Sequence, residues 1–322
     1  MEYYFAPMEG ATSYLFRTVH RKYFDGVDKY YMPFISPTQD HLFTKRELRE
    51  LIPEHNQGFR AVPQLLSKRA EDCVWAARGL AEMGYPEINL NLGCPSGTVV
   101  AKGKGAGLLR DTAVLKDFLQ EIYDAGLPVD ISVKTRLGMN DPEEFEAILE
   151  VYNRFPISQL TIHPRVKVDL YKGHARVEEF AKALPKSRAP VCYNGDLMNV
   201  AQIGHLVQKF PEVGAVMMGR GFLADPALAQ KAAGGKGADK ARLEGFVDEL
   251  YRSYAQVFES DRNAMLRMKE LWFYLINLFA DSVSYGKKLK KVSDPREYEA
   301  LVKGVLRDLE LKPHLDGEVF LK

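Results

Sequence analysis

"NLNLGCPSGTVV", residues 89–100, sets the reading of the whole chain. Leu90 and Leu92 alternate with Asn89 and Asn91, which is the period of a strand with two unlike faces. Asparagine is a poor strand former, so two of them on one face need a purpose at the strand's end. At Gly93 the run breaks into Cys94-Pro95, a turn that leaves a lone thiol where the chain departs from its sheet.

The same layout recurs on both sides. Short β-rich runs at 3–8, 29–35, 59–66, 87–93, 129–136, 159–165, 189–196 and 214–221 read as eight strands. Between them, amphipathic stretches such as 67–84 and 141–155 read as helices, stopped by Gly84 and by Pro156. Asp141-Pro142 supplies a cap and a first turn for the second of these. Strands alternating with helices predict an α/β fold with a parallel sheet, and eight such units predict a (β/α)8 TIM barrel. A doubly wound sheet would carry a glycine fingerprint after its first strand, and "APMEG" is not one. Beyond the small-residue stretch 231–240 the strand signal stops and three helical segments follow. The expected organisation is a barrel domain over 1–235 and a smaller all-helical C-terminal domain over 241–322.

Composition bounds the function without naming it. The 322 residues are 46% apolar and 27% charged, the mix of an ordinary globular protein, and a net charge of +1 gives no bulk attraction for nucleic acid. Three cysteines without a CxxC pair fit a reducing compartment. The N-terminus resembles no signal peptide and no run reaches the length of a membrane span, so a cytoplasmic protein is expected. No HExxH or clustered Cys/His spacing calls for a metal. A monomer is the working expectation.

In such a barrel the chemistry collects at the C-terminal ends of the strands. Here those ends carry Pro7-Met8, Gln64, Asn91 with Cys94, Lys134 with Arg136, His163 with Arg165, Asn194-Gly195 and Gly219-Arg220. "NGD" (194–196) and "GRG" (219–221) fall in the loops after strands seven and eight, where barrels of this class hold phosphate. Lys134 closes an otherwise apolar strand and needs an anion to meet it. Cys94 is placed to act either as a nucleophile or as a proton donor, and spacing leaves both open. Cys73 and Cys192 sit in helix and strand patterns as buried small hydrophobes. The glycine-rich segment 101–111 reads as a mobile loop that folds over a substrate.

"APMEG", "VPQLL", "NLNLGCPS", "SVKTRLG", "TIHPR", "YNGD" and "MMGRG" occur in that order, and together they resemble the tRNA-dihydrouridine synthases. The resemblance covers roughly residues 1–235, and the helical tail fits that family's layout. It implies an FMN-containing barrel that uses NADPH to reduce the C5–C6 double bond of a D-loop uridine in tRNA. On that reading Pro7, Met8 and Glu9 line the flavin, and Gln64, Lys134 and His163 lie along its ring. Asn194, Gly195, Asp196, Gly219 and Arg220 hold its phosphate. Asn91, Arg136 and Arg165 bind the uracil, and Cys94 is the proton donor. NADPH then needs no dinucleotide fingerprint, because its nicotinamide docks on the open flavin.

Apart from the resemblance, support for RNA is local. Residues 241–322 carry 14 basic and 14 acidic side chains, yet Lys287, Lys288, Lys290 and Lys291 are clustered, and Arg262, Arg267 and Lys269 fall near Trp272. Two alternatives remain at this point: an FMN-dependent barrel reductase of a small molecule, of dihydroorotate or enoate type, and a non-catalytic RNA-binding barrel without flavin.

Overall fold

A computed structural model describes residues 1–315, so the last part of the expected helical domain, 316–322, lies outside the described residues. The chain packs as two units. One comprises Met1–Pro7, Asp28–Asp196 and Lys209–Met217; the other comprises Met8–Val27, Leu197–Gln208 and the chain from Met218 onward.

The first unit is built on a parallel sheet. Among the described residues its strands are β1 (Glu2–Phe5), β2 (Lys29–Tyr31), β3 (Ala61–Val62), β4 (Gln64–Leu65), β5 (Glu87–Leu92), β6 (Asp130–Arg136), β7 (Leu160–His163), β8 (Val191–Asn194) and β9 (Ala215–Met218). They run in the order β3-β2-β1-β9-β8-β7-β6-β5-β4, and every pairing is parallel. The two ends of that order, β3 and β4, are halves of the single expected strand 59–66. Pro63 separates them because it has no N–H to give to a ladder. One half pairs with β2 and the other with β5, so the chain itself joins the ends into a barrel, and a bridge from Ile35 to Leu65 helps close the seam. Pro7 and Pro33 likewise cut the first and second strands shorter than the apolar runs that announced them.

Alternation sorts the side chains. Ile88, Leu90 and Leu92 face outward from β5, where helices such as Ala70–Glu82 and Thr112–Asp124 cover them. Tyr4, Ala6, Tyr31, Val62, Cys192, Ala215 and Met217 cluster as a buried core. At its lower end Glu87 accepts hydrogen bonds from Lys29 at 2.8 Å and from Arg60 at 2.9 Å. Burial and the Glu87 carboxylate push the neighbouring Tyr31 phenol well above its ordinary pKa.

The second unit is helical. Phe16, His20 and Phe24, on or beside helix Tyr14–Tyr23, pack around Phe246 of helix Lys240–Phe258. Burial lowers the His20 pKa to about 3, so the ring is neutral and its Nε2 donates to the Pro226 carbonyl at 3.0 Å. Helices Asp261–Leu275, Val283–Lys291 and Pro295–Asp308 complete the unit, with the Trp272 indole buried and donating to the Tyr298 hydroxyl at 3.0 Å. No helix among the described residues is long and apolar enough to cross a membrane.

The barrel floor yields a stability prediction. Replacing Glu87 by Ala leaves the Lys29 ammonium buried without its partner, which costs about 3–5 kcal/mol. Urea denaturation should show that loss for Glu87→Ala, and the apolar pair Lys29→Met with Glu87→Leu should recover most of it. An unchanged midpoint in the single variant would mean the pair holds nothing together.

Candidate active site

The asparagines of β5 turn out to answer to each other. Ser132 donates to the Ile88 carbonyl at 3.1 Å and accepts from the Asn89 amide at 3.0 Å. The Asn89 oxygen accepts from Gln64 at 2.8 Å, and the Gln64 oxygen accepts from Asn91, also at 2.8 Å. The Asn91 oxygen then takes the backbone N–H of Cys94 at 2.9 Å and of Gly93 at 3.2 Å. Each of these side chains is buried, so each amide must find a partner, and together they form a relay from the middle of the sheet to the thiol's own turn. Gln64 and Asn91, expected to touch ring and base, are thus held mainly by each other. Each keeps one amide hydrogen outside these bonds.

The register of β5, β6 and β7 sets Lys134 opposite both Asn91 and Thr161, and Arg136 opposite His163. Lys134 has no hydrogen bond or ion pair to any described residue. Desolvation, with the Arg136 charge adding to it, lowers its pKa to about 8. Arg136 donates to the Val166 carbonyl at 2.9 Å, and its guanidinium carbon lies 5.3 Å from the centre of the exposed Tyr171 ring. Tyr171 carried no signal in the sequence, because its place depends on how the loop after β7 folds. A half-buried cation with no anion beside it is the observation that tests for an acidic, partly aromatic ligand. Lys134, near the top of β6, fits the electron-rich edge of the flavin that the resemblance implies, and Arg136 lies two residues beyond it.

Arg165 has a different part from the one expected. It is fully buried, and its guanidinium donates to His163 Nε2 at 2.8 Å, to both Asp196 oxygens at 2.9 and 2.7 Å, and to the carbonyls of Gly173 and Lys172. A guanidinium only donates, so Nε2 of His163 accepts and the ring proton sits on Nδ1. Asp196 also accepts the Ala175 N–H at 2.7 Å. Arg165 and Asp196 therefore hold the β7 and β8 loops and orient His163, with little left to offer a base or a phosphate. Asn194 donates to the Met217 carbonyl at 2.8 Å, which ties β8 to β9. A Cβ on Gly195 would fall 2.8 Å from that of Ala175 and 3.5 Å from the His163 ring, so the loop closes only with glycine there.

The segment after Cys94 is packed rather than loose. It folds as helix Gly97–Ala101 and a 3-10 turn Gly105–Arg110 in which Ala106, Leu108 and Leu109 are buried. Gly105 has φ +58°, and a Cβ on it would meet both the Cβ and the carbonyl oxygen of Cys94 at 2.9 Å. Lys104 reaches the Ser36 hydroxyl at 2.9 Å. The expected lid is thus a fixed support that sets the height of the thiol.

Pro7 ends the barrel unit's first segment, while Met8, Glu9, Gly219 and Arg220 belong to the helical unit. Met8 opens a tight turn in which its N–H donates to the Thr12 hydroxyl at 2.9 Å. Gly219 precedes helix Arg220–Ala224, and Gly221 lies so close to the Leu197 carbonyl, 2.4 Å for an added Cβ, that no side chain fits. Among the described residues no group of three His, Cys, Asp or Glu is placed to hold a metal.

Cys73 and Cys192 are buried with pKa values raised to about 12 by desolvation, as the sequence anticipated, whereas Cys94 is partly exposed. The native protein should accordingly take up one equivalent of a thiol reagent such as DTNB, and Cys94→Ala none. Uptake of a second equivalent by the folded protein would contradict this placement.

Residues 4–311 match the family model described as Dihydrouridine synthase (Dus). The tRNA-dihydrouridine(16) synthase of Pseudomonas putida is 30% identical over 91% of this chain and 94% of its own length. A probable tRNA-dihydrouridine synthase of Synechocystis is 32% identical over 69% of this chain, and the match spans 62% of that relative. Among solved structures, morphinone reductase superposes with a TM-score of 0.53 at 12% identity, covering 76% of this chain and 88% of that one, a likeness of fold. Since the match runs from β1 almost to the end of the described residues, the chain belongs to the dihydrouridine synthase family.

Proposed function

We propose that the protein is a flavin-dependent tRNA-dihydrouridine synthase that reduces the C5–C6 double bond of a D-loop uridine, with NADPH as reductant and FMN as the resident cofactor. The observation that carries this reading is Cys94. It is a partly exposed thiol at the end of β5, held by buried amides, in the same unit as an unpaired lysine, on a chain whose family match covers residues 4–311. Relatives named for this reaction extend over nearly the whole chain, which favours tRNA over the small-molecule alternative.

FMN, when bound, supplies hydride to C6 of the uracil. The remaining work falls to the chain's own residues. Lys134 places a cation where negative charge develops on the ring system, with Gln64 and His163 beside it and Pro7, Met8 and Glu9 as further lining. Gly195, Asn194, Gly219 and Arg220 are assigned to the phosphate. Asp196 and Arg165 serve as positioning residues for that loop and for His163. Arg136 and the spare amide hydrogen of Asn91 are assigned to the uracil's polar edge. Cys94 gives its S–H proton to C5, and solvent returns a proton to the thiolate. The barrel segment 1–235 is assigned to the cofactor and the helical segment 241–322 to tRNA. A monomer working in the cytoplasm is the simplest setting.

Two outcomes test this. Cys94→Ala should still bind FMN and oxidise NADPH, yet form dihydrouridine about a hundredfold more slowly or worse. Full product formation by that variant would end the proton-donor role. Lys134 is cationic below about pH 8 and neutral above it, so a flavin held with its electron-rich ring edge against the ammonium binds tighter on the acid side. The affinity of flavin-free protein for FMN, read by fluorescence quenching, should fall as pH rises from about 7 to about 9. Lys134→Met should flatten that slope, and a slope kept by the variant would remove Lys134 from the flavin.

A further inference from the structure

The helical unit contains a cleft of about 750 Å³ between helices Asp261–Leu275 and Val283–Lys291. Its walls are apolar at Ile276 and Leu289, and Phe273 and Val283 remain 59% and 70% exposed at it. Exposure on that scale for a phenylalanine and a valine within one cleft goes beyond the scattered apolar residues of an ordinary surface. Phe273 is also fixed in direction, its ring set edge-to-face with Tyr274 at 5.0 Å and 88°.

The charge beside the cleft is mostly basic on its Val283–Lys291 side. Lys287 and Lys290 line it, Lys288 and Lys291 share their helix, all four are exposed, and Val283–Lys291 contains no acidic residue. The other basic residues of the region are already engaged. Arg267 donates to the Gly10 carbonyl and to Glu270, and Lys269 donates to the Val292 carbonyl at 2.5 Å. Glu9 and Glu270 also line the cleft, and the Arg267 guanidinium offsets Glu270. Trp272, the aromatic residue that the sequence placed beside these charges, is buried and engaged with Tyr298. The ring presented outward is its neighbour, Phe273.

We propose that this cleft holds a second nucleotide of the RNA, one other than the reacting uridine, with its base stacked on Phe273 and its flanking phosphates on Lys287 and Lys290. The inference rests on the reading that the substrate is tRNA. An exposed, oriented aromatic ring next to a run of exposed lysines is the pairing that single-stranded nucleotides require: a π-face for the base and cations for the backbone. A hydrophobic peptide would match the ring but not the four lysines.

The test is tRNA binding by the FMN-loaded protein at several salt concentrations. Phe273→Ala should raise the Kd by roughly fivefold to a hundredfold, and Phe273→Trp should stay near wild type. Lys287→Glu together with Lys290→Glu should weaken binding and reduce the slope of log Kd against log salt by about 1 to 2. Arg154→Glu, an exposed site in the barrel unit, should leave the Kd near wild type. A Phe273→Ala Kd within twofold of wild type overturns the proposal. So does a Phe273→Ala variant that raises the KM for NADPH with no change in tRNA Kd, because the cleft would then serve the reductant. If wild-type protein forms no dihydrouridine in tRNA, the functional reading fails first and takes this inference with it.

Discussion

Everything at the top of β5 depends on the rule that a buried amide must be satisfied at both ends. Ser132, Asn89, Gln64 and Asn91 obey it by bonding to one another in a line, and the line terminates on the N–H groups of Gly93 and Cys94. In a low-dielectric interior an unmet amide costs more than a met one gains, so the relay has little freedom to rearrange. The thiol at its end inherits that rigidity. Gly105 pressing on Cys94 from the other side completes the clamp, and the position of the sulfur is set by packing and hydrogen bonds on both sides of its turn.

A second linkage does the same for the other side of the barrel mouth. Arg165 collects His163, Asp196 and two loop carbonyls around one buried guanidinium. A planar fork of donors suits this better than a flexible ammonium, because several acceptors are held at fixed angles. The proposed site is thus made of two kinds of residue. Cys94, Lys134 and Arg136 present functional groups, and Arg165, Asp196, Asn89 and Ser132 hold the loops that carry them.

Much of this was legible beforehand because the fold writes itself in period-2 runs and their ends. Eight strand positions followed from apolar alternation, and the candidate residues at their ends followed from where barrel chemistry collects. What escaped was local. Pro63 split one strand in two, and Pro7 and Pro33 shortened two more, since proline lacks the donor a ladder needs and apolar character alone does not show this. The 101–111 segment looked loose from its glycines, yet those glycines permit close packing against Cys94. Arg165 stood among the strand-end residues, and the resemblance implied a uracil contact for it. Its burial depends on Asp196, thirty-one positions away, and that separation is invisible to any reading of neighbours. Trp272, read beside basic residues, is buried while its neighbour Phe273 is exposed, because which of two adjacent aromatic residues faces outward depends on the helix's rotation against its partners.

Lys134 has a consequence beyond chemistry. Held without a partner and with its pKa pulled down to about 8, it is a group that the folded chain would rather not bury charged. Any anion that settles against it removes that conflict, so the native state gains free energy from ligand that the unfolded chain cannot gain. With Lys134 at the flavin, as proposed above, the population of folded protein is tied to the supply of that cofactor. Newly made chains that have not been loaded are the ones most exposed to proteolysis, and the cell's flavin status would be read out as the abundance of this protein before it is read out as activity.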